Sequence, residues 1–120
     1  MHYLWIAIGS AVGGMSRFAL GSWILEKYGS TLPWGTLLIN IVGSGLIGLF
    51  ATTVKPVPWR QFLMVGLCGG FTTFSSFSLE TLTLLHDGHP GRALAYIALS
   101  VFVCLVSVWA GHVAGIALVE

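Results

Sequence analysis

The chain has 120 residues, of which 56% are hydrophobic and 8% charged, with a formal net charge of +1. Soluble domains carry about 25% charged residues, and five Lys/Arg with four Asp/Glu cannot solvate so apolar a globule. A soluble domain is excluded, which leaves a membrane protein.

A membrane-spanning helix needs about 20 mostly apolar residues. Four such segments fit, roughly Tyr3–Leu25, Leu32–Val54, Phe62–Leu85 and Ala93–Val119. The connectors "EKYGST", "KPVPWR" and "HDGHPGR" are short and polar, leaving no room for a soluble domain. The reading is an all-α membrane protein with one four-helix domain over residues 1–120. Trp5, Tyr28, Trp34 and Trp59 fall near span ends, where amphipathic rings favour the interface.

The first span opens "MHYLWIAIGSAVGG", with no Lys or Arg before its apolar run, so it reads as a span rather than a secretory signal. Arg17 lies about eight residues from its end, roughly 12 Å along a helix. Its side chain either snorkels to the headgroups or faces a water-filled vestibule that attracts anions. In the second span Asn40 sits near the middle, with Thr36 one turn before it and Gly43 and Ser44 after. A mid-membrane asparagine serves as interhelical glue or presents its amide to an ion, and both readings stay open.

The third span contains "GLCGGFTTFSSFSLET". Gly69 and Gly70 are poor helix formers, and the Thr and Ser residues that follow compete for backbone hydrogen bonds, so a break is expected in this run, with Phe71 inside it. Unwound backbone in a membrane is tolerated only when buried in protein or facing a cavity or ion, and broken helices of this kind form ion sites in transport proteins. Phe74 and Phe77 are three apart and project from nearly one face of a helix resuming after the break. Their ring edges are positive and suit a small anion; the plainer alternative is packing on lipid or neighbouring helices. Glu80 is the one acidic residue deep in a span, and it needs a hydroxyl, a cation or water as partner.

In the fourth span Tyr96, Ser100 and Cys104 recur every four residues, with Ser107 and Gly111 beside them. That spacing puts them on one face, either a small-residue packing seam or a polar track. Cys68 and Cys104 both lie within spans and read as small apolar residues rather than a disulfide. The four His residues form no metal-ligand pattern, and there is no nucleophile–base pair, phosphate loop or nucleic-acid patch. An enzyme is not expected.

With four spans, Lys55 and Arg60 fall on one side of the membrane and Lys27 and Arg92 on the other. Orientation follows the Lys/Arg excess in short cytoplasmic loops, and the tally is two against two. Either weak features choose one orientation, or copies insert both ways up and pair as an antiparallel two-fold dimer. The glycine pairs Gly9/Gly13, Gly66/Gly70 and Gly111/Gly115 have the spacing that lets helices approach closely, which favours an oligomer.

At these residues the chain resembles the CrcB/Fluc family of bacterial fluoride channels. The run "GGFTTFSSFS" is similar to the family's third-span signature, and "GGMSRF" in the first span and "GTLLINIVGSGLIG" in the second extend the likeness over essentially the whole chain. Phe71 and Ser76 stand where Leu and Thr are expected to be frequent, and Cys104 stands where relatives can carry a second serine. The resemblance implies passive fluoride export across the bacterial inner membrane by an antiparallel, dual-topology homodimer with two pores and a structural sodium ion on the dyad. It implies that Phe74 and Phe77 line the pores, that Asn40 donates its amide to fluoride, and that Tyr96 and Ser100 add polar contacts. Gly69 and Thr72 would supply main-chain carbonyls to the sodium. Thr36, Ser76, Glu80 and Cys104 are weaker candidates for the polar track, and Arg17 for the vestibule.

Two other classes compete. A small multidrug-resistance-type, proton-coupled transporter also has about this length, but it needs an acidic residue in the first span, which here holds Arg17 and no Asp or Glu. A non-transporting scaffold subunit would explain the glycine pairs but not the break, Asn40 and the phenylalanines together.

Overall fold

Every long apolar run becomes helix, because in lipid each backbone N–H and C=O must find its partner within its own segment. The computed structural model describes residues 1–29 and 31–120; Ser30, in the first connector, lies outside the described residues. Helix α1 (His2–Tyr28) is followed by α2 (Trp34–Thr53). The third span is composite: α3 (Val57–Arg60), a π-helical segment (Gln61–Cys68), α4 (Gly69–Phe71) and α5 (Phe74–His86). The chain closes with α6 (Pro90–Val119). Four stretches, His2–Tyr28, Trp34–Thr53, Val57–His86 and Pro90–Val119, are long and apolar enough to cross a membrane.

The third and fourth spans begin earlier than their apolar runs suggest. Pro58 and Pro90 sit in the first turns of α3 and α6, where a missing N–H costs nothing and the fixed φ suits a helix. Gly29 and Gly88 take φ of 75° and 79° where α1 and α5 give way to turns, a left-handed conformation that glycine adopts without a Cβ clash. Beyond α2, Arg60 Nη1 donates to the carbonyls of Ala51 and Val54 at 3.3 and 2.7 Å. A cation there satisfies orphan carbonyls and complements the negative helix end.

Two glycine-lined crossings hold the bundle together. Along the first, α1 lies on the π-helical segment and α4: a Cβ on Gly13 would stand 2.8 Å from Phe71 N, one on Gly66 2.8 Å from Ile6 O, and one on Gly70 2.7 Å from Ser10 O. Along the second, α2 lies on α6: a Cβ on Gly111 would stand 3.0 Å from Leu49 N, and one on Gly48 3.1 Å from His112 N. Lipid tails are as apolar as Leu, so close backbone packing, not hydrophobic burial, drives such contacts. The glycine pairs that suggested an oligomer therefore make intrachain contacts. A small core of Leu37, Leu84, Ala93 and Tyr96, with Phe77 packed against it, ties α5 to α2 and α6.

Candidate functional site

The helix of the third span breaks at Thr72 and Thr73, within the expected run, but Gly69, Gly70 and Phe71 ahead of it stay helical. Gly69 keeps helical torsions (φ −62°, ψ −39°), whereas Thr72 (−81°, 157°) and Thr73 (−149°, 118°) are extended. The reason lies in neighbouring helices. Close packing of Gly66 and Gly70 on α1 needs residues without Cβ but leaves the helix intact. The Thr72 N–H and Oγ1 both donate to Cys68 O, at 3.0 and 2.9 Å, and close the last turn.

Beyond that turn a side chain takes over the role of the helix. Asn40 Oδ1 accepts from Thr73 N–H at 2.8 Å, and Asn40 Nδ2 donates to Thr73 O at 3.1 Å. One amide from α2 thus meets both backbone groups of the extended residue, and one Nδ2 hydrogen remains for another acceptor. Thr73 Oγ1 accepts from Ser76 N–H at 3.1 Å and caps the N-terminus of α5. On the other side, Arg17 Nε donates to Gly70 O at 3.3 Å. Arg17 is therefore bound to the end of α4 and does not simply extend along lipid.

The expected sodium site on Gly69 and Thr72 is corrected by this geometry. Among the described residues no group of three or more His, Cys, Asp or Glu could hold a metal ion. Gly69 stays helical where unwound backbone was expected.

Three aromatic rings follow the break. The centroids of Phe74 and Phe77 are 5.5 Å apart at 46°, and those of Phe77 and Tyr96 are 5.1 Å apart at 49°. Phe74 is 78% exposed, Phe77 half-buried and Tyr96 fully buried, so the row leads from the surface into the bundle. There Tyr96 Oη donates to Glu80 Oε1 at 3.2 Å, while Thr36 Oγ1 donates to Oε2 at 3.0 Å. Two hydroxyls from two other helices thus bind the one acidic side chain deep in a span. One turn along α6 from Tyr96, the Ser100 hydroxyl is buried with no hydrogen-bond partner among the described residues. A buried polar atom without a partner is uncommon and points to a water or ion beside it.

Two cavities flank Thr73. The larger, about 570 Å³, gathers Arg17, Thr36, Ser76 and Glu80 and reaches the loop residue Asp87. The smaller, about 290 Å³, is lined by Asn40, Gly69, Thr72, Phe74 and Cys104 among others. Phe77, Tyr96 and Ser100 line neither cavity. The half-buried Phe77 and the buried Tyr96 join Phe74, on the smaller cavity, to Glu80 on the larger.

Thr73 was missed by sequence reasoning as a residue that organises the site. A signal was present, since Thr just ahead of a helical run is a preferred N-cap residue. The contact from Asn40, 33 positions away, had no local signal. Chemically, the break offers neutral donors, ring edges and hydroxyls, with the Arg17 cation on the larger cavity.

A family profile described as "CrcB-like protein, Camphor Resistance (CrcB)" matches residues 4–112. The chain is similar to the Fluoride-specific ion channel FluC of Opitutus terrae, with 51% identity covering 97% of this chain and 93% of that protein. It is 52% identical to the protein of that name from Methylocella silvestris, covering 98% and 95% of the two chains. The corresponding protein of Rhodospirillum rubrum is 50% identical, covering 100% and 98%.

Proposed function

The chain belongs to the CrcB-like family, and from that membership we propose that it is a fluoride-selective channel that lets fluoride leave the cytoplasm passively. The observation that carries this reading is identity of 50–52%, over nearly the whole length, to three bacterial proteins named fluoride-specific ion channels. Four apolar helical stretches and bacterial relatives make it a multi-pass protein of the inner membrane. It is a channel and not an enzyme.

The pore groups fit the task. Fluoride is small and strongly hydrated, so a pore must replace its water with several donors and still release it. The free amide hydrogen of Asn40, the unpartnered Ser100 hydroxyl and the edges of Phe74 and Phe77 are modest contacts of that kind, and Tyr96 continues the row. Arg17 places one cation on the larger cavity, which it shares with the carboxyl groups of Glu80 and Asp87 and the hydroxyls of Thr36 and Ser76.

The working unit is an antiparallel, dual-topology homodimer with two pores. The balanced Lys/Arg tally supports it, as does the exposed Phe74 beside an open cavity, which a second copy would cover. The test is purified protein in liposomes with fluoride and chloride release followed in parallel. Rapid fluoride loss with chloride retained is the expected result; no fluoride release from correctly folded protein rejects the reading. A C-terminal reporter should give signal from both sides of the membrane, and signal from one side alone rejects dual topology.

A further inference from the structure

The serines of α6 serve two different ends. Ser100 is buried with its hydroxyl unpartnered among the described residues. The Ser107 hydroxyl, two turns on, donates instead to Ile41 O of α2 at 2.6 Å. That carbonyl lies inside α2, where it accepts an intrahelical bond, and its second lone pair serves Ser107. Ile41 directly follows Asn40, the residue that clamps the break. Gly45, one turn further along α2, makes the room: a Cβ there would stand 3.0 Å from Ser107 Oγ.

Around this bond α2 and α6 meet backbone to backbone. A Cβ on Gly111 would strike Gly45 O, and one on Gly48 would strike Val108 O. Glycines let helices approach closely, but they offer no side-chain knob to a hole in the facing helix, the device that fixes register between packed helices. A single polar residue at a seam can specify register in its place. The two helices run in the same direction. Thr36 and Tyr96 meet on the Glu80 carboxylate, and Asn40 and Cys104 line one cavity, so Ser100 runs alongside the stretch between Thr36 and Asn40.

We propose that Ser107 is a positioning residue for the anion path: its bond to Ile41 O sets the register of α6 on α2. Through that register it holds Tyr96 and the Ser100 hydroxyl at the level of Thr36 and Asn40. A sliding α6 draws Tyr96 Oη away from Glu80 Oε1, now 3.2 Å distant and already near the long end for such a bond. It moves the Ser100 hydroxyl by the same amount. The effect on flux rests on the channel reading, whereas the register does not.

Ser107→Ala removes the hydroxyl, and Ser107→Cys keeps a small side chain with a weaker donor. Each full-length variant is purified as the native oligomer, and two carbon-13 resonances are followed in detergent. The Ile41 carbonyl reads the bond itself. Tyr96 Cζ, eleven residues and about 16 Å back along α6, reads the register. Both resonances should move in Ser107→Ala and move less in Ser107→Cys. In liposomes, Ser107→Ala should lower fluoride efflux per oligomer by about two- to tenfold, the range that one lost hydrogen bond allows. Ser100→Ala should lower efflux by itself, and adding Ser107→Ala to it should cost less than in the native chain, because both act at one hydroxyl. Should Ser107→Ala fail to elute as the native oligomer, Ser107→Cys carries the same comparisons. An unmoved Tyr96 Cζ overturns the register role, even where the Ile41 carbonyl moves. Undiminished efflux, or full additivity with Ser100→Ala, overturns the positioning role. If the native chain carries no fluoride, the channel reading fails while the two resonances still decide the register.

Discussion

Asn40→Ala tests the clamp on the helix break. The substitution removes the acceptor of the Thr73 N–H, now 2.8 Å away, and the donor to the Thr73 carbonyl at 3.1 Å. A buried backbone group left without a partner costs about 1–3 kcal/mol. Both Asn40 and Thr73 are only partly buried, so the low end applies to each group, and the pair together costs about 2 kcal/mol. That free energy corresponds to roughly thirtyfold in an equilibrium constant. Because the contact is local, it should appear as opening of the Thr72–Thr73 turn rather than as global unfolding. Hydrogen exchange followed at the Thr73 amide in detergent-solubilised protein reads it directly, with fluoride efflux measured on the same preparation. Asn40→Asp keeps an acceptor for the Thr73 N–H but loses the donor to its carbonyl, so its exchange rate should fall between the other two. Unchanged Thr73 exchange in Asn40→Ala, with the protein otherwise folded, would refute the clamp and leave Asn40 only a contact to the ion.

Phe77→Ile removes the ring that touches both Phe74 and Tyr96. Aromatic contacts are worth about 0.5–1.5 kcal/mol, so fluoride efflux should fall by up to about tenfold with the oligomer intact; undiminished efflux excludes an essential role for that ring. Thr36→Val strips one of the two hydroxyls from Glu80, and loss of that hydrogen bond should lower stability by about 0.5–1.5 kcal/mol. Thr83→Val is the control, because that exposed hydroxyl bonds only to Leu79 of its own helix; equal losses in the two variants count against the Glu80 cluster. Gly13→Ala drives a methyl into the backbone of Leu67 and Phe71 and should destabilise by about 1–3 kcal/mol. Gly14→Ala meets nothing within 4 Å and should melt like the native chain; indistinguishable melting of both variants refutes the close α1 crossing.

Several features were legible in the sequence because their causes are local. Apolar length dictated four spans, and the Thr/Ser-rich run after two glycines marked an interruption in the third. Three-residue spacing put Phe74 and Phe77 close together, and four-residue spacing put Tyr96, Ser100 and Cys104 along one line of α6. The break is narrower than the run suggested, with Gly69–Phe71 still helical, because propensity is a weak prior that tertiary contacts override. Gly69 and Gly70 were read as weak points, but Gly70 is what close packing on α1 requires, and Gly69 beside it keeps helical torsions. Sodium at Gly69 and Thr72 assumed unwound backbone at Gly69, which stays helical.

The sequence by itself determined that this is a four-span membrane protein with a polar interruption, since a low-dielectric solvent leaves few other solutions for so apolar a chain. Its motifs also pointed to the family. Tertiary structure alone decided which partners satisfy the polar groups: Asn40 for Thr73, Arg17 for Gly70, and Thr36 and Tyr96 for Glu80. It also decided that the glycine pairs would be used within the chain and that both cysteines would line one cavity. These are distances between segments far apart in the chain. A helix's periodicity fixes which residues share its face, but not which face of which neighbour will meet them.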